Sequence, residues 1–260
     1  MRRIMQVCKF LVLILCCYNL SFPFAQIVNI ESQRIQTDSV RFVLISDVTL
    51  SLRETDGESF RAIQTNLTTQ LKSKDYKNLW LLVGGLDYSA LDENRISDNH
   101  ILHLRFNRKL GNRLRIECFE QIQSSPLTGI ALRNLSGLGP RFKLQSGNNI
   151  SAYIGTLYMY EWEQVKGDIE SMGRFHRLST YLSGSWRSTD GNKEFSCIGY
   201  YQPNLLHWLD YRLSFQGSLA IRVAKHFAFT ANVSVNYDAD PPQNYIPFTF
   251  LNTYGLRWIL

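Results

Sequence analysis

The stretch YRLSFQGSLAIRVAKHFAFTANVSVNY, residues 211–237, keeps one parity from its first residue to its last. Odd positions are apolar or small, except for Lys225, and most even positions are polar. Side chains of a β-strand alternate between two faces, so the pattern predicts strands with one apolar and one polar face. Residues 224–226 interrupt it and indicate a tight turn between two such strands. The fold depends on whether the apolar face meets lipid or a protein core.

This period of two runs through most of the sequence from residue 39 onward, and it predicts no helix of any length. Twelve strands are predicted, at residues 40–52, 63–71, 80–88, 102–106, 114–118, 138–144, 150–162, 175–186, 194–201, 211–223, 227–237 and 248–260. Pro140 lies in the sixth strand, where it cannot donate a hydrogen bond to a neighbour. An even number of alternating strands favours an antiparallel barrel.

The connections between these strands alternate in length. The longer ones are 53–59, 89–98, 123–131, 163–173, 203–210 and 238–245, and the tighter ones are 72–77, 109–112, 146–149, 188–192 and 224–226. Short turns at one end and longer loops at the other are typical of outer-membrane barrels, whose turns lie in the periplasm. A soluble lipocalin-like barrel also has uneven loops, but it needs only about eight strands.

Three features favour lipid outside the barrel. The polar faces mix small and polar residues, which suits a crowded, hydrated interior better than a solvated surface rich in Lys and Glu. Aromatic residues lie near predicted strand ends, as they do in the girdles at both membrane interfaces: Tyr88, Tyr158, Tyr160, Trp162, Trp186, Tyr211, Tyr237 and Trp258. The closing NTYGLRWIL alternates up to Leu260 and resembles a barrel's terminal strand, although that strand usually ends on an aromatic residue. The sequence therefore predicts an all-β fold, an antiparallel transmembrane β-barrel of about twelve strands.

The N-terminus has the build of a secretory signal peptide. Basic residues precede an apolar stretch at residues 10–17, and the small residue Ala25 follows, which predicts cleavage directly after it. The expected organisation is a signal peptide at 1–25, a periplasmic N-terminal segment at 26–38 and an outer-membrane β-barrel at 39–260. An uncleaved anchor and a lipoprotein modified at Cys16 or Cys17 are the alternatives.

Charge and cysteine content narrow the function classes. Removal of the signal peptide takes three of the 28 Lys+Arg residues, so 25 remain against 22 Asp+Glu, a net charge of +3. This small excess predicts no nucleic-acid partner. Cys118 and Cys197 lie outside the signal peptide and are too few for a disulfide framework. Two separately buried thiols are favoured over one bridge between them.

Several short segments resemble those of a known family: IVNIESQRIQTD (27–38), GLGPRFKL (137–144), YMYEWE (158–163), YYQP (200–203) and YDADPP (237–242). In order and spacing they are similar to the domain of unknown function 481 family, over most of the mature chain. The resemblance implies an outer-membrane barrel, and some members of that family are labelled salt-induced. It implies no reaction, substrate or catalytic residue, because the family has none established.

The sequence predicts no metal, cofactor or catalytic site. His100 and His103 form an HxxH, but on a strand they point to opposite faces and chelate poorly. An outer-membrane phospholipase needs a serine on the lipid-facing side near its histidine. His176 has the lipid-side parity, whereas the nearby Ser179 and Ser183 have the opposite one. That catalytic constellation is therefore not predicted.

Charged residues occupy positions with lumen parity instead. The candidates are Arg105, Arg115, Glu117, Arg141, Glu161, Arg177, Arg212 and Arg222. Such residues either line a lumen as a selectivity filter or proton relay, or form an ion-pair network that fills a narrow barrel. The network is favoured, because residues that cannot face lipid must be polar and buried charges need partners.

The predicted function is that of a non-enzymatic protein of the Gram-negative outer membrane, which passes or binds a small solute or serves a structural role. Side chains can largely occlude the lumen of a barrel of this size. The expected partners are outer-membrane lipid and the barrel-assembly machinery, which would engage the C-terminal strand. Two alternatives remain: a membrane-embedded lipid hydrolase or acyltransferase, and a secreted soluble β-barrel that binds an apolar ligand.

Overall fold

Twelve antiparallel strands form the computed structural model, which describes residues 40–55, 58–125, 129–147, 149–165, 172–241 and 247–259. The strands are β1 Phe42–Thr55, β2 Glu58–Lys72, β3 Asn78–Leu91, β4 Asn94–Lys109, β5 Leu114–Ser125, β6 Ile130–Ser146, β7 Ile150–Val165, β8 Met172–Arg187, β9 Lys193–Pro203, β10 Tyr211–Ala224, β11 Phe227–Asp238 and β12 Phe248–Ile259. Each strand pairs with its sequence neighbours, and β1 pairs with β12 to close the sheet. The predicted antiparallel barrel is confirmed. The predicted signal peptide, its cleavage site, the segment at 26–38 and Leu260 lie outside the described residues.

The connections define two ends of the barrel. At the turn end, strands are joined by residues 73–77, 110–113, 147–149, 188–192 and 225–226. At the loop end, they are joined by residues 56–57, 92–93, 126–129, 166–171, 204–210 and 239–247. β1 begins and β12 finishes at the turn end.

Two of the predicted longer connections are mostly strand. Pairing of β1 with β2 continues to Thr55 and Glu58, and pairing of β3 with β4 continues to Leu91 and Asn94. Backbone hydrogen bonds do not require apolar side chains, so these ladders extend past the apolar part of each strand. The connections at 166–171, 204–210 and 239–247 are the longest, and all three lie at the loop end.

Apolar side chains point out of the barrel and polar ones point in. In β10, Leu213 and Phe215 are 43% and 45% exposed, whereas Gln216 and Ser218 of the opposite parity are 2% and 4% exposed. An outward surface covered with large apolar side chains is that of a membrane wall, not of a soluble barrel. The secreted barrel with an apolar interior is therefore wrong.

Aromatic side chains mark both edges of the outer apolar band. Near the loop end, the Tyr211 ring lies 5.9 Å from the Tyr201 ring and 6.0 Å from the Tyr237 ring, measured between centroids. Near the turn end, Trp80 and Trp186 lie on the outer face and are about 40% exposed. Two such girdles are expected where a barrel crosses the two interfaces of a membrane.

β6 contains the predicted irregularity at Pro140. Pro140 pairs with Ile116 of β5. On its other side, the ladder between β6 and β7 has no residue pair at this position. The proline, which has no N–H, thus lies at a gap in the ladder. A Cβ on Gly139 would collide with the Thr156 carbonyl of β7, so glycine allows the two strands to approach closely.

The two cysteines of the barrel are free. Cys118 of β5 and Cys197 of β9 are half-buried and have the outward parity of their strands, so they lie in the outer wall. Within the described ranges, no helix is long and apolar enough to cross a membrane.

Candidate functional site

The interior of the barrel is charged as well as polar. Arg105, Glu117, Arg141, Glu161 and Arg177 are each at most 2% exposed. They come from β4 to β8, where alternate positions point inward. Burial of an ion is costly unless an opposite charge and hydrogen bonds compensate it. These side chains are compensated in two clusters, one toward each end of the barrel.

The turn-end cluster comprises Arg105, Asn107, Arg115, Glu117, Arg141, Tyr153 and Tyr181. The Glu117 carboxylate is its centre, and Nη1 of Arg105 and Nη1 of Arg141 each donate to it at 3.3 Å. The Asn107 amide and the Tyr181 hydroxyl donate to the same carboxylate. Donors from β4, β6 and β8 thus satisfy one carboxylate from β5 through charge-assisted hydrogen bonds.

Two guanidinium groups of this cluster share one aromatic ring. The Cζ atom of Arg141 lies 3.8 Å from the centroid of the Tyr153 ring, and that of Arg115 lies 5.2 Å from it. Both distances allow a cation–π interaction. Gly155 pairs with Tyr181 across β7 and β8, and a Cβ at this glycine would collide with the tyrosine ring. The glycine therefore gives the Tyr181 ring room to reach the cluster.

The loop-end cluster comprises Arg133, Glu161, Glu163, Arg177, Asp210, Arg212 and Asp238. Three guanidinium groups surround Glu161: Arg133 Nε at 3.1 Å, Arg177 Nε at 2.8 Å and Arg212 Nη1 at 2.5 Å. The cluster contains further ion pairs. Glu163 pairs with Arg133 and Arg212, Asp210 pairs with Arg177 at 2.9 Å, and Asp238 pairs with Arg212 at 2.7 Å. Three arginines thus meet four carboxylates, and the cluster is close to electrically balanced.

An uncharged layer separates the two clusters. On β7, Glu161 lies six residues beyond Gly155, the partner of Arg141, and this spacing is roughly 20 Å along the strand. Leu157, Ile198 and Tyr200 fill the interval together with Tyr181, and they are at most 5% exposed. Buried side chains of β4 to β10 therefore occupy the lumen at three successive levels.

Two concave sites lie elsewhere in the part of the chain that the structure describes. An apolar groove of about 650 Å³ lies on the outer wall, where Leu182, Phe215 and Tyr237 line it. A polar cavity of about 30 Å³ lies beside Asp87 and Asn99, and it has room for about one or two water molecules. Neither is a channel through the barrel.

Seven of the eight charged residues that the sequence selected lie in these two clusters. Arg222 does not: it is exposed at the turn end of β10. Four residues of the loop-end cluster are not among the residues selected from the sequence, namely Arg133, Glu163, Asp210 and Asp238. Arg133 and Glu163 share the parity of Arg141 and Glu161 in β6 and β7, but both lie outside the predicted strands 138–144 and 150–162. Asp210 lies in the connection 204–210 and Asp238 is the last residue of β11, and both positions were predicted as loop.

The histidines of the predicted HxxH and His176 lie apart from one another. His103 is buried in the lumen with Nδ1 2.8 Å from Gln121 Oε1, whereas His100 is on the outer face beside Asp98. His176 also faces outward, and its Nδ1 is hydrogen-bonded to the Tyr158 hydroxyl. Among the described residues, no three His, Cys, Asp or Glu side chains lie close enough to share a metal ion.

Several solved barrels match the chain over most of its length. The NanC porin is 8% identical, with a TM-score of 0.49, over 84% of this chain and 98% of the porin. The translocator domain of the autotransporter NalP from Neisseria meningitidis is 12% identical, with a TM-score of 0.46, over 86% of this chain and 89% of that domain. The KdgM porin in complex with disordered oligogalacturonate is 8% identical, with a TM-score of 0.44, over 84% of this chain and 98% of the porin. Identities this low carry no information about function.

The sequence comparison is more specific. No curated protein matches the chain at a significant level. The model of the family described as "Protein of unknown function, DUF481" matches residues 49–255, which include most of the barrel. This match agrees with the resemblance found in the short segments between residues 137 and 242. The chain therefore belongs to the DUF481 family.

Proposed function

We propose that this protein is a non-enzymatic barrel of the bacterial outer membrane, whose lumen is closed at rest and passes small anions in preference to cations when it opens. The outer apolar band, the aromatic girdles and the predicted signal peptide at 1–25 support this location. As part of this proposal, β12 acts as the strand that the barrel-assembly machinery engages, and outer-membrane lipid surrounds the wall.

Burial of the charged lumen residues supports a closed resting state. Arg141 and Glu117 near the turn end, and Glu161 near the loop end, are 0% exposed. A solute can pass only if their ion pairs separate, and each pair that opens in a poorly hydrated lumen costs free energy. The barrel therefore differs from a wide, water-filled porin.

The composition of the turn-end cluster carries the preference for anions. Arg105 and Arg141 pair with one carboxylate, Glu117, and Arg115 joins the same cluster through the Tyr153 ring, so three guanidinium groups and one carboxylate form this cluster. Nε of Arg105 is buried and has no hydrogen-bond partner among the described residues. Rings of Arg or Lys select for anions in a pore, and a buried donor of this kind can bind one.

The test is current recording on the purified barrel in a planar lipid bilayer under a KCl gradient. We expect rare, small openings. The reversal potential of these currents should lie closer to the equilibrium potential of chloride than to that of potassium. The Glu117→Gln variant should open more often and keep its preference for chloride. The control is Glu194→Gln, whose carboxylate pairs with Arg187 at the half-exposed rim. A large steady conductance, a preference for potassium, or no current from wild type and variant would each overturn the proposal.

The same preparation separates this function from lipid chemistry. Incubation with labelled phospholipid should give no hydrolysis or acyl transfer. Turnover that disappears when one serine or histidine is replaced would contradict the non-enzymatic proposal, whatever the conductance.

A further inference from the structure

A carboxylate lies on the lipid-facing wall. Glu120 of β5 has the outward parity of its strand and is exposed. Its cross-strand partners are Leu104 on β4 and Ser136 on β6. The Ser136 hydroxyl donates to Oε2 of Glu120 at 2.6 Å, and Asn134 Oδ1 lies 3.4 Å from the same hydroxyl. These three side chains, Glu120, Ser136 and Asn134, form an outer polar patch.

The depth of this patch in the membrane follows from strand length. β5 has 12 residues, and a tilted strand needs ~9–11 residues to cross the hydrocarbon. Glu120 is the seventh residue of β5 and so lies near the middle of the bilayer. The outward His100 and His176 lie nine and eleven residues from the turn ends of their longer strands, which places them near the loop-end interface instead.

Lipid does not provide a partner for this carboxylate. A charged side chain on the lipid face of a barrel is most costly at mid-depth, and acyl chains there offer no hydrogen bond. Depth also argues against a Ser136 nucleophile with Glu120 as its base, because lipid ester bonds lie at the interface and water is scarce at the middle. A soluble protein cannot reach this depth. A protein that is itself embedded in the membrane can cover the patch.

We propose that the outer polar patch is the contact between two copies of this chain, related by a two-fold axis along the membrane normal. Such an axis brings residues of equal depth together, so the Glu120 carboxylate of each copy meets the Ser136 hydroxyl and the Asn134 amide of the other copy. A patch that holds both donors and acceptors is complementary to itself, as an isologous contact requires. Pairing replaces contact with lipid by hydrogen bonds in an apolar medium. The proposal is independent of what the lumen passes.

The two native cysteines of the barrel provide the test. Cys118 is two residues before Glu120 on the same outer face, whereas Cys197 is on β9, four strands away around the wall. The Cys197→Ser variant keeps the first thiol, and the matched Cys118→Ser variant keeps the second. Membranes that contain each variant are treated with a short, membrane-permeable bis-maleimide, and the products are separated by mass. Heat-modifiable migration shows that each variant is folded.

We expect an adduct of twice the chain mass from Cys197→Ser and only background from Cys118→Ser. Adding Glu120→Leu to Cys197→Ser should lower the cross-linked fraction roughly three- to tenfold, the range expected for one polar contact in a membrane. Adding Glu120→Gln should lower it less, since an amide still forms hydrogen bonds. Equal adducts from both thiols, an adduct with a different protein, no adduct at all, or no effect of Glu120→Leu would each overturn the proposal.

Discussion

Asp47 of β1 and Arg257 of β12 form a two-pronged ion pair across the seam that closes the barrel. The Arg257 Nε to Asp47 Oδ1 distance is 2.7 Å, and the Nη2 to Oδ2 distance is 3.2 Å. Among the described residues, the seam has four cross-strand residue pairs, whereas β1 and β2 share fourteen. The two residues are 210 positions apart in the chain, so this contact forms only when the two ends of the sheet meet.

Loss of this ion pair should destabilise the closed barrel. Arg257→Leu leaves the Asp47 carboxylate in the lumen without this guanidinium group, and the free energy of unfolding should fall by roughly 3 kcal/mol. Urea unfolding in lipid vesicles measures the change. The control is Arg187→Leu, because Arg187 and Glu194 form a half-exposed pair at the rim, whose loss should cost less than about 1 kcal/mol. Equal losses in the two variants would contradict a special role of the seam.

Glu161 should matter more to stability than its neighbour Glu163. Glu161 meets three guanidinium groups, whereas Glu163 meets two and is slightly exposed. Glu161→Gln keeps the shape of the side chain but leaves three buried cations with less compensation, so we expect a loss of roughly 3 kcal/mol. Glu163→Gln should cost clearly less in the same unfolding assay. The reverse order would show that Glu161 is not the centre of the loop-end cluster.

The wall of the barrel could be predicted from the sequence because the period of two is a local property. The odd positions of residues 211–237 face outward as predicted, and Lys225 lies in the turn between β10 and β11. The extent of the strands was harder to predict, since ladders such as β1–β2 continue where side chains are polar. Nothing in the local pattern shows where such a ladder stops.

Contacts within each cluster could not be predicted, because they depend on how far each strand is shifted against the next. Parity places Arg177 and Glu161 inside, but only the register shows that Arg212, 51 residues from Glu161, reaches the same carboxylate. The outer polar patch was missed for the same reason. Serines near His176 on one strand can be recognised by parity, whereas Ser136 of β6 meets Glu120 of the adjacent strand β5.

Two turns of the barrel have the same design but different residues at the strained position. Ser73 and Ser188 begin them, and each Ser backbone N–H donates to a carbonyl five residues later, at 3.0 and 2.9 Å. The left-handed position is Tyr76 in one turn, with φ of 54°, and Gly191 in the other, with φ of 69°. A residue with a Cβ is strained in this conformation by about 1–2 kcal/mol, whereas glycine is not.

Exchange at this position should therefore change stability in opposite directions. Tyr76→Gly should raise the free energy of unfolding by up to about 1 kcal/mol, since relief of strain exceeds the entropy cost of glycine. Gly191→Ala should lower it by about 1 kcal/mol. Both are measured by urea unfolding in vesicles. Changes of the same sign in the two variants would show that side-chain contacts, not φ, decide the effect.

Asp75 and Asp190, the carboxyl groups of these two turns, should have pKa values below the ordinary value of an aspartate. The hydrogen bond from the Ser73 hydroxyl, followed by that from the Lys77 backbone, holds the pKa of Asp75 below its ordinary value of 3.8. A carboxyl group with a lowered folded pKa stabilises the fold above its unfolded pKa, and this stabilisation is lost as pH falls through the folded pKa. Ser73→Ala should return the Asp75 pKa toward 3.8 in an NMR titration. Asp190, whose pKa is lowered first by Ser188, is the internal control and should not move.

Glycine should be required at position 155 but not at position 84. A Cβ on Gly155 would meet the Tyr181 ring, including its hydroxyl oxygen at 2.6 Å, whereas a Cβ on the lipid-facing Gly84 has no atom within 4 Å. Gly155→Ala must displace the ring that hydrogen-bonds to Glu117, so we expect a loss of about 1–3 kcal/mol and more frequent current openings. Gly84→Ala should be neutral or stabilise the strand by up to about 1 kcal/mol. If both variants unfold and conduct like the wild type, the Tyr181 ring is not part of what holds the lumen closed.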